Sequence, residues 1–156
     1  MLKLQDEVIG CRGFNISWFY PFCYDELSEI MSTKGNLVTG IFAEDELVAF
    51  RVSCICGEEF KEISHALGDI YEEGSAMQLN GVFVKNNFRG NNMQQIMSQY
   101  TADLCKKNGI EVLMTAIHPD NIASITSLEN IGFEKKKRAM LYEGRYDRVI
   151  LVRENR

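Results

Sequence analysis

The chain holds 156 residues, 46% of them hydrophobic and 25% charged, which fits one domain over residues 1–156 and excludes a largely disordered protein. A net charge of −5 argues against a nucleic-acid binder whose affinity rests on phosphate neutralisation. No apolar run reaches the roughly 18 residues of a membrane span, and MLKLQDEVIG carries acids where a signal peptide has a basic head, so a cytoplasmic protein with no membrane partner is expected.

The five cysteines are odd in number, lack paired CxxC spacing and have only His65 and His118 beside them; no disulfide framework and no metal site is expected. Charge is uneven along the chain. Residues 1–84 hold 5 basic and 14 acidic side chains, whereas 85–156 hold 12 basic and 8 acidic, so a cationic ligand is drawn to the first half and a polyanionic one to the second.

Phe14, Trp18, Phe19, Tyr20 and Phe22 make the N-terminal stretch aromatic; they either pack on a sheet or line an acceptor pocket. From Pro21, the spacing of Phe22, Leu27, Ile30 and Met31 predicts a helix that ends at Gly35. Strands follow at 37–42 and 46–55, joined by the turn Ala43-Glu44-Asp45. Residues 56–75 carry no clear period. MQLNGVFV (77–84) predicts a strand. Met93, Ile96, Met97, Tyr100, Leu104 and Cys105 then line one face of a helix closed by Asn108-Gly109. The apolar run 110–117 predicts a doubly covered strand, so 77–117 forms a strand–helix–strand unit with a parallel pair. A short helix from Asn121 to Ile131 is followed by a hairpin, 139–143 and 146–152, with Gly144-Arg145 as a two-residue type II′ loop. The whole predicts a mixed α/β (α+β) sheet.

The informative point is the turn between Val84 and Met93. A strand ends, Phe88-Arg89-Gly90-Asn91-Asn92 turns, and a helix begins with free N–H groups and its positive dipole end exposed. Gly90 and the two asparagines accept positive φ, and Arg89 adds a fixed charge, so the segment suits a phosphate. Neither GxxxxGK[ST] nor GxGxxG is present, which excludes a triphosphate P-loop and a dinucleotide fingerprint.

The segment Val82-Phe83-Val84, then Arg89-Gly90-Asn91-Asn92-Met93-Gln94, followed by Asn121-Ile122-Ala123-Ser124 and Gly132-Phe133, resembles the GNAT superfamily of acyl-CoA-dependent N-acetyltransferases. The family's central motif is a strand, Arg/Gln-x-x-Gly-x-Gly/Ala, and a long helix. The resemblance implies a single-domain fold with a mostly antiparallel sheet, one parallel strand pair splayed around the cofactor, and flanking helices. It also implies acetyl-CoA as co-substrate, with the amides of Gly90, Asn91, Asn92, Met93, Gln94 and Gln95 on the pyrophosphate and Arg89 close by. Val82, Phe83 and Val84 would hydrogen-bond the pantetheine arm, and Asn121 with Ser124 would approach it from the next helix. The implied reaction is acetyl transfer to a primary amine of a small molecule or peptide by direct attack, without nucleic acid, membrane or metal. Family members are often homodimers.

Two positions depart from the family pattern. Asn92 and Gln94 stand where Gly and Gly or Ala are usual, which brings bulk near the phosphates. Leu128 stands where many members place a tyrosine as general acid, so the catalytic residues stay unassigned. The alternative is a non-catalytic acyl-CoA-binding module. For a base, the central strand offers Gln78 and Asn80 rather than an acid; Glu72 and Glu73 lie just upstream on a loop, His118 has a suitable intrinsic pKa, and Tyr142 stands on the closing hairpin where it could point into the cleft. Lys135-Lys136-Lys137-Arg138 reads either as a solvated strand end or as an aid to nucleotide binding. The acidic first half favours a cationic acceptor.

Overall fold

A computed structural model describes residues 1–155. Helices α1 (Leu2–Ile9) and α2 (Tyr24–Ser32) precede the hairpin β1 (Leu37–Ala43) and β2 (Glu46–Cys54); α3 (Glu58–Ala66), β3 (Met77–Val84), α4 (Met93–Lys107), β4 (Val112–Ile117), α5 (Ile122–Glu129), β5 (Glu134–Leu141) and β6 (Tyr146–Glu154) follow. The strands form one sheet in the order β1-β2-β3-β4-β6-β5. Every pair is antiparallel except β3 with β4. The mixed sheet with a single parallel pair matches the sequence expectation.

Alternation along the strands divides the core between two faces. On one, Leu79, Leu113 and Leu151 pack under Ala102 and Cys105 of α4 and Ile125 and Leu128 of α5. On the other, Phe50, Val52 and Phe83 meet Leu4, Val8 and Leu27 of α1 and α2, while Met114, Ile150 and Val152 meet Phe60 and Ile63 of α3. Residues 56–75, which had no clear period, hold α3. Its Phe60 and Ile63 are buried, but nine residues with four charges give too short and polar a window for the pattern to emerge.

The C-terminal hairpin differs from the sequence expectation. β5 begins at Glu134 rather than Ala139, so Lys135 to Arg138 lie along an exposed outer strand. The connection is Tyr142 to Arg145 rather than Gly144-Arg145, with φ of 56°, 58° and 76° at Tyr142, Glu143 and Gly144. Its fold is set from outside: the Glu62 carboxylate on α3 accepts the N–H groups of Tyr142 and Glu143. The left-handed region is uncommon for non-glycine residues, and these contacts help hold Tyr142 and Glu143 in it.

Candidate functional site

The parallel pair is short. β3 and β4 are in register only at Met77 with Leu113 and Gln78 with Met114, although β3 continues to Val84 and β4 to Ile117. Thr115 Oγ1 donates to the Leu79 carbonyl at 2.8 Å across the start of the gap; beyond it the strands part. β4 stays bonded to β6 through Ile117, and β3 to β2 through Val84, so the opening lies inside the sheet.

At the far end of β3, Gly90 has φ 82° and Asn92 is left-handed at φ 56°. Asn92 precedes α4 with no side-chain cap on the helix amides. The first-turn amides of Met93, Gln94 and Gln95 therefore have no partner within the helix, and Ile96 is the first to bond back, to the Asn92 carbonyl at 3.0 Å. Nothing lies within 4 Å of where a Gly90 side chain would project, so this face is open, and Arg89 beside it is exposed. The features suit a diphosphate. Gln94 does not crowd the turn: its Nε2 donates to Ser124 Oγ at 2.8 Å, tying α4 to α5. Asn121 caps α5 by accepting the Ser124 N–H at 3.3 Å.

A cavity of about 570 Å³ opens where β3 and β4 separate, on the face of α2 and α3, within the range of small-molecule sites. A β-bulge forms its floor. Val52 pairs with Gly81 and Ser53 with Leu79, which leaves Asn80 as the extra residue. Gln78 and Asn80, two residues apart, line the cavity, and the bulge breaks strict alternation so that Gly81 also faces its aromatic wall. A side chain at Gly81 would start 2.8 Å from Phe22 Cε2 and 3.0 Å from Phe19 Cζ, so only glycine admits that wall.

The central group is Glu59, the second residue of α3. Asn80 Nδ2 donates to its Oε2 at 2.8 Å, and the Tyr142 hydroxyl donates to its Oε1. Burial pushes the Glu59 carboxyl above the usual range, opposed by hydrogen bonding from Tyr142, Asn80 and Gln78 and by the positive charge of Arg148. Arg148 is itself buried and lies 5.5 Å and 5.3 Å from the ring centres of Tyr142 and Tyr146. Burial and the Glu59 charge hold the Tyr142 phenol protonated. Glu59 sits in the unassigned segment, and a lone glutamate in an acidic helix start gives no sequence signal; only the contact with Asn80 and Tyr142 singles it out.

Other expectations sort against this geometry. Trp18, Phe19, Tyr20 and Phe22 line the cavity, whereas Phe14 packs with the α1–α2 core. Tyr142 lines it too. Glu72 and Glu73 lie outside and are exposed; Glu73 accepts the Gly57 N–H at 2.8 Å, so neither is placed as a base. His118, at the end of β4, stacks on Trp18 at 6.1 Å between ring centres rather than facing the cavity. Lys135, Lys136 and Arg138 are ion-paired with Glu129, Glu134 and Asp147, and Lys137 donates to the Ala66 carbonyl at 2.6 Å. Leu128 is buried among Ile125 and Phe133. All five cysteines are free, and among the described residues no helix is long and apolar enough to cross a membrane.

No family model and no curated protein matches the sequence. Solved structures do match the fold. A probable acetyltransferase from Staphylococcus epidermidis is 22% identical with a TM-score of 0.72, covering 98% of this chain and 90% of its own. The ribosomal-protein-S18-alanine N-acetyltransferase of Escherichia coli is 14% identical with a TM-score of 0.70, over 98% and 86%. An N-acetyltransferase from Thermoplasma acidophilum, solved in complex with coenzyme A, is 15% identical with a TM-score of 0.60, over 83% and 67%. With its split parallel pair and its order of strands, the chain has the fold of the GNAT N-acetyltransferases.

Proposed function

We propose that the protein is an N-acetyltransferase that moves the acetyl group of acetyl-CoA to a primary amine. The observation that carries this reading is the position of Glu59, a buried carboxylate on the floor of a cavity at the strand split. A coenzyme A complex of a neighbour with this fold supports the choice of co-substrate. Here the Arg89–Gln95 turn would hold the pyrophosphate, the free edge of Val82, Phe83 and Val84 the pantetheine, and Asn121 with Ser124 the far side of the arm. When bound, acetyl-CoA supplies an activated thioester.

What the chain's own residues supply is a nucleophile. An amine arrives as ammonium and cannot attack until it loses a proton; a carboxylate raised by burial is a stronger base than a solvated one. Asn80 and Tyr142 hold Glu59 in one orientation, and the aromatic wall keeps bulk water from the amine. A covalent acyl-cysteine is disfavoured: burial and the nearby Glu59 charge push the thiol of Cys54, which lines the cavity, up to about 12, far from the thiolate a nucleophile needs. With Glu59 placed to take the proton, the reading adopted is direct attack by the amine.

One observation favours a second reading, a module that binds acyl-CoA without turning it over: Leu128 offers no acid where the family often has tyrosine. Calorimetric titration with acetyl-CoA, followed by thiol release with a panel of amines, separates the two. Binding with amine-dependent release supports the enzyme. Binding without release across the panel supports the module, and no binding defeats both.

A further inference from the structure

The cavity is acidic beyond what proton abstraction needs. Glu26, Glu29, Glu58, Glu59, Glu62 and Glu143 line it against two arginines, Arg145 and Arg148. The glutamates are not equally engaged. Glu26 accepts the Cys23 N–H at 2.7 Å, Glu58 pairs with Lys61, Glu62 holds the hairpin turn and Glu143 pairs with Arg145. Glu29, on α2, is exposed, and its carboxylate has no hydrogen bond or ion pair among the described residues. It lines the same cavity as Glu59, together with Phe19, Phe22 and Ile30.

A second, independent observation lies at the floor. Gln78 is 1% exposed and lines the cavity beside Glu59, and its Oε1 meets no hydrogen-bond partner. The Oδ1 of Asn80 is likewise buried and unpartnered. Buried amide oxygens without donors cost about 1–3 kcal/mol each and are expected to find a partner in the working complex. An ammonium group carries three N–H donors and no acceptor, matching one carboxylate and two amide oxygens at the floor.

Resting on the acetyltransferase reading above, we propose that the acceptor is a small linear aliphatic diamine or polyamine. One ammonium lies at Glu59, Asn80 and Gln78 and gives a proton to the Glu59 carboxylate; its nitrogen then bonds to the acetyl carbon as the thioester C–S bond breaks, and the second N–H proton leaves with coenzyme A as the free thiol. The methylene chain runs along Phe19, Phe22 and Ile30, and the second ammonium is met by Glu29. Acetylation removes one positive charge and leaves the other, so the product keeps the rim contact but loses the charged contact at the floor.

Thiol release with α,ω-diamines, n-alkylamines of equal length, amino acids and a peptide with a free N-terminus tests this, together with calorimetry of the diamine alone. The expected result is a kcat/KM for the diamine at least about tenfold above the monoamine, a preference that weakens with salt. Glu29→Gln should reduce the diamine-to-monoamine ratio about fivefold through KM. Equal turnover of monoamines, amino acids or the peptide overturns the acceptor assignment and leaves acetyl transfer standing. Diamine binding without release by any amine supports the cation site and overturns the transferase reading; neither binding nor release overturns both.

Discussion

Asn80 Nδ2 donates to Glu59 Oε2 at 2.8 Å, joining a bulged strand residue to the first turn of a helix 21 positions earlier. The contact fixes the carboxylate at the cavity floor without supplying a full countercharge, so Glu59 is kept above its usual pKa mainly by burial. A carboxyl whose folded pKa is raised contributes stability below its unfolded pKa and loses that contribution as pH rises through the folded value. Glu59→Gln should therefore be at least as stable as the wild type at neutral pH, with Tm higher by about 2–4 °C. The difference should shrink as pH falls through the raised Glu59 value and change no further below the ordinary glutamate range. Thermal melts at a series of pH values check it.

Tyr142→Phe removes a hydrogen bond that favours the charged form of Glu59. The carboxyl should then ionise later, so the acidic limb of the pH dependence of kcat/KM moves to higher pH, with a loss of about tenfold at pH 7. Tyr142→Ala would lose packing as well. A Phe variant with an unmoved limb would mean that Tyr142 only fills space.

In the phosphate turn, charge and bulk separate. Arg89→Glu should weaken acetyl-CoA binding by about tenfold or more, through lost attraction and added repulsion beside the helix N-terminus. Gln94→Ala should change it by no more than about threefold, because the Gln94 side chain is turned to Ser124 rather than to the turn. Calorimetry on the two variants decides between them.

Arg51 on β2 is 2% exposed, and its Nε and Nη2 have no partner. Burial alone lowers its pKa to about 10. At neutral pH the group is still charged, so the cost of burying it is fully present. Arg51→Met, similar in length and apolar, should raise stability by about 1–3 kcal/mol, read from the denaturant midpoint at constant slope.

Regular periods made most of the fold legible. β3, α4 and β4 follow from the alternation of 77–84, the three-and-four spacing from Met93 and the apolar run to Ile117, because each buries a continuous face. The Arg89–Gln94 turn was legible for a different reason: positive φ there needs Gly or Asn, and both stand in the sequence. The chemistry of the cavity was hidden. Glu59 becomes distinctive only through Asn80, the residue at the β3 bulge, and through Tyr142, which arrives from 83 residues away on a turn held by Glu62. Period counting has no access to either a bulge or a turn shaped by a distant carboxylate.

The most direct test of the central claim compares wild type and Glu59→Gln for acetyl-CoA binding by calorimetry and for thiol release with a diamine acceptor. The Gln variant should bind acetyl-CoA with unchanged affinity, since Glu59 lies outside the phosphate turn, and release thiol at least about 100-fold more slowly. Release at the wild-type rate by Glu59→Gln would contradict the account.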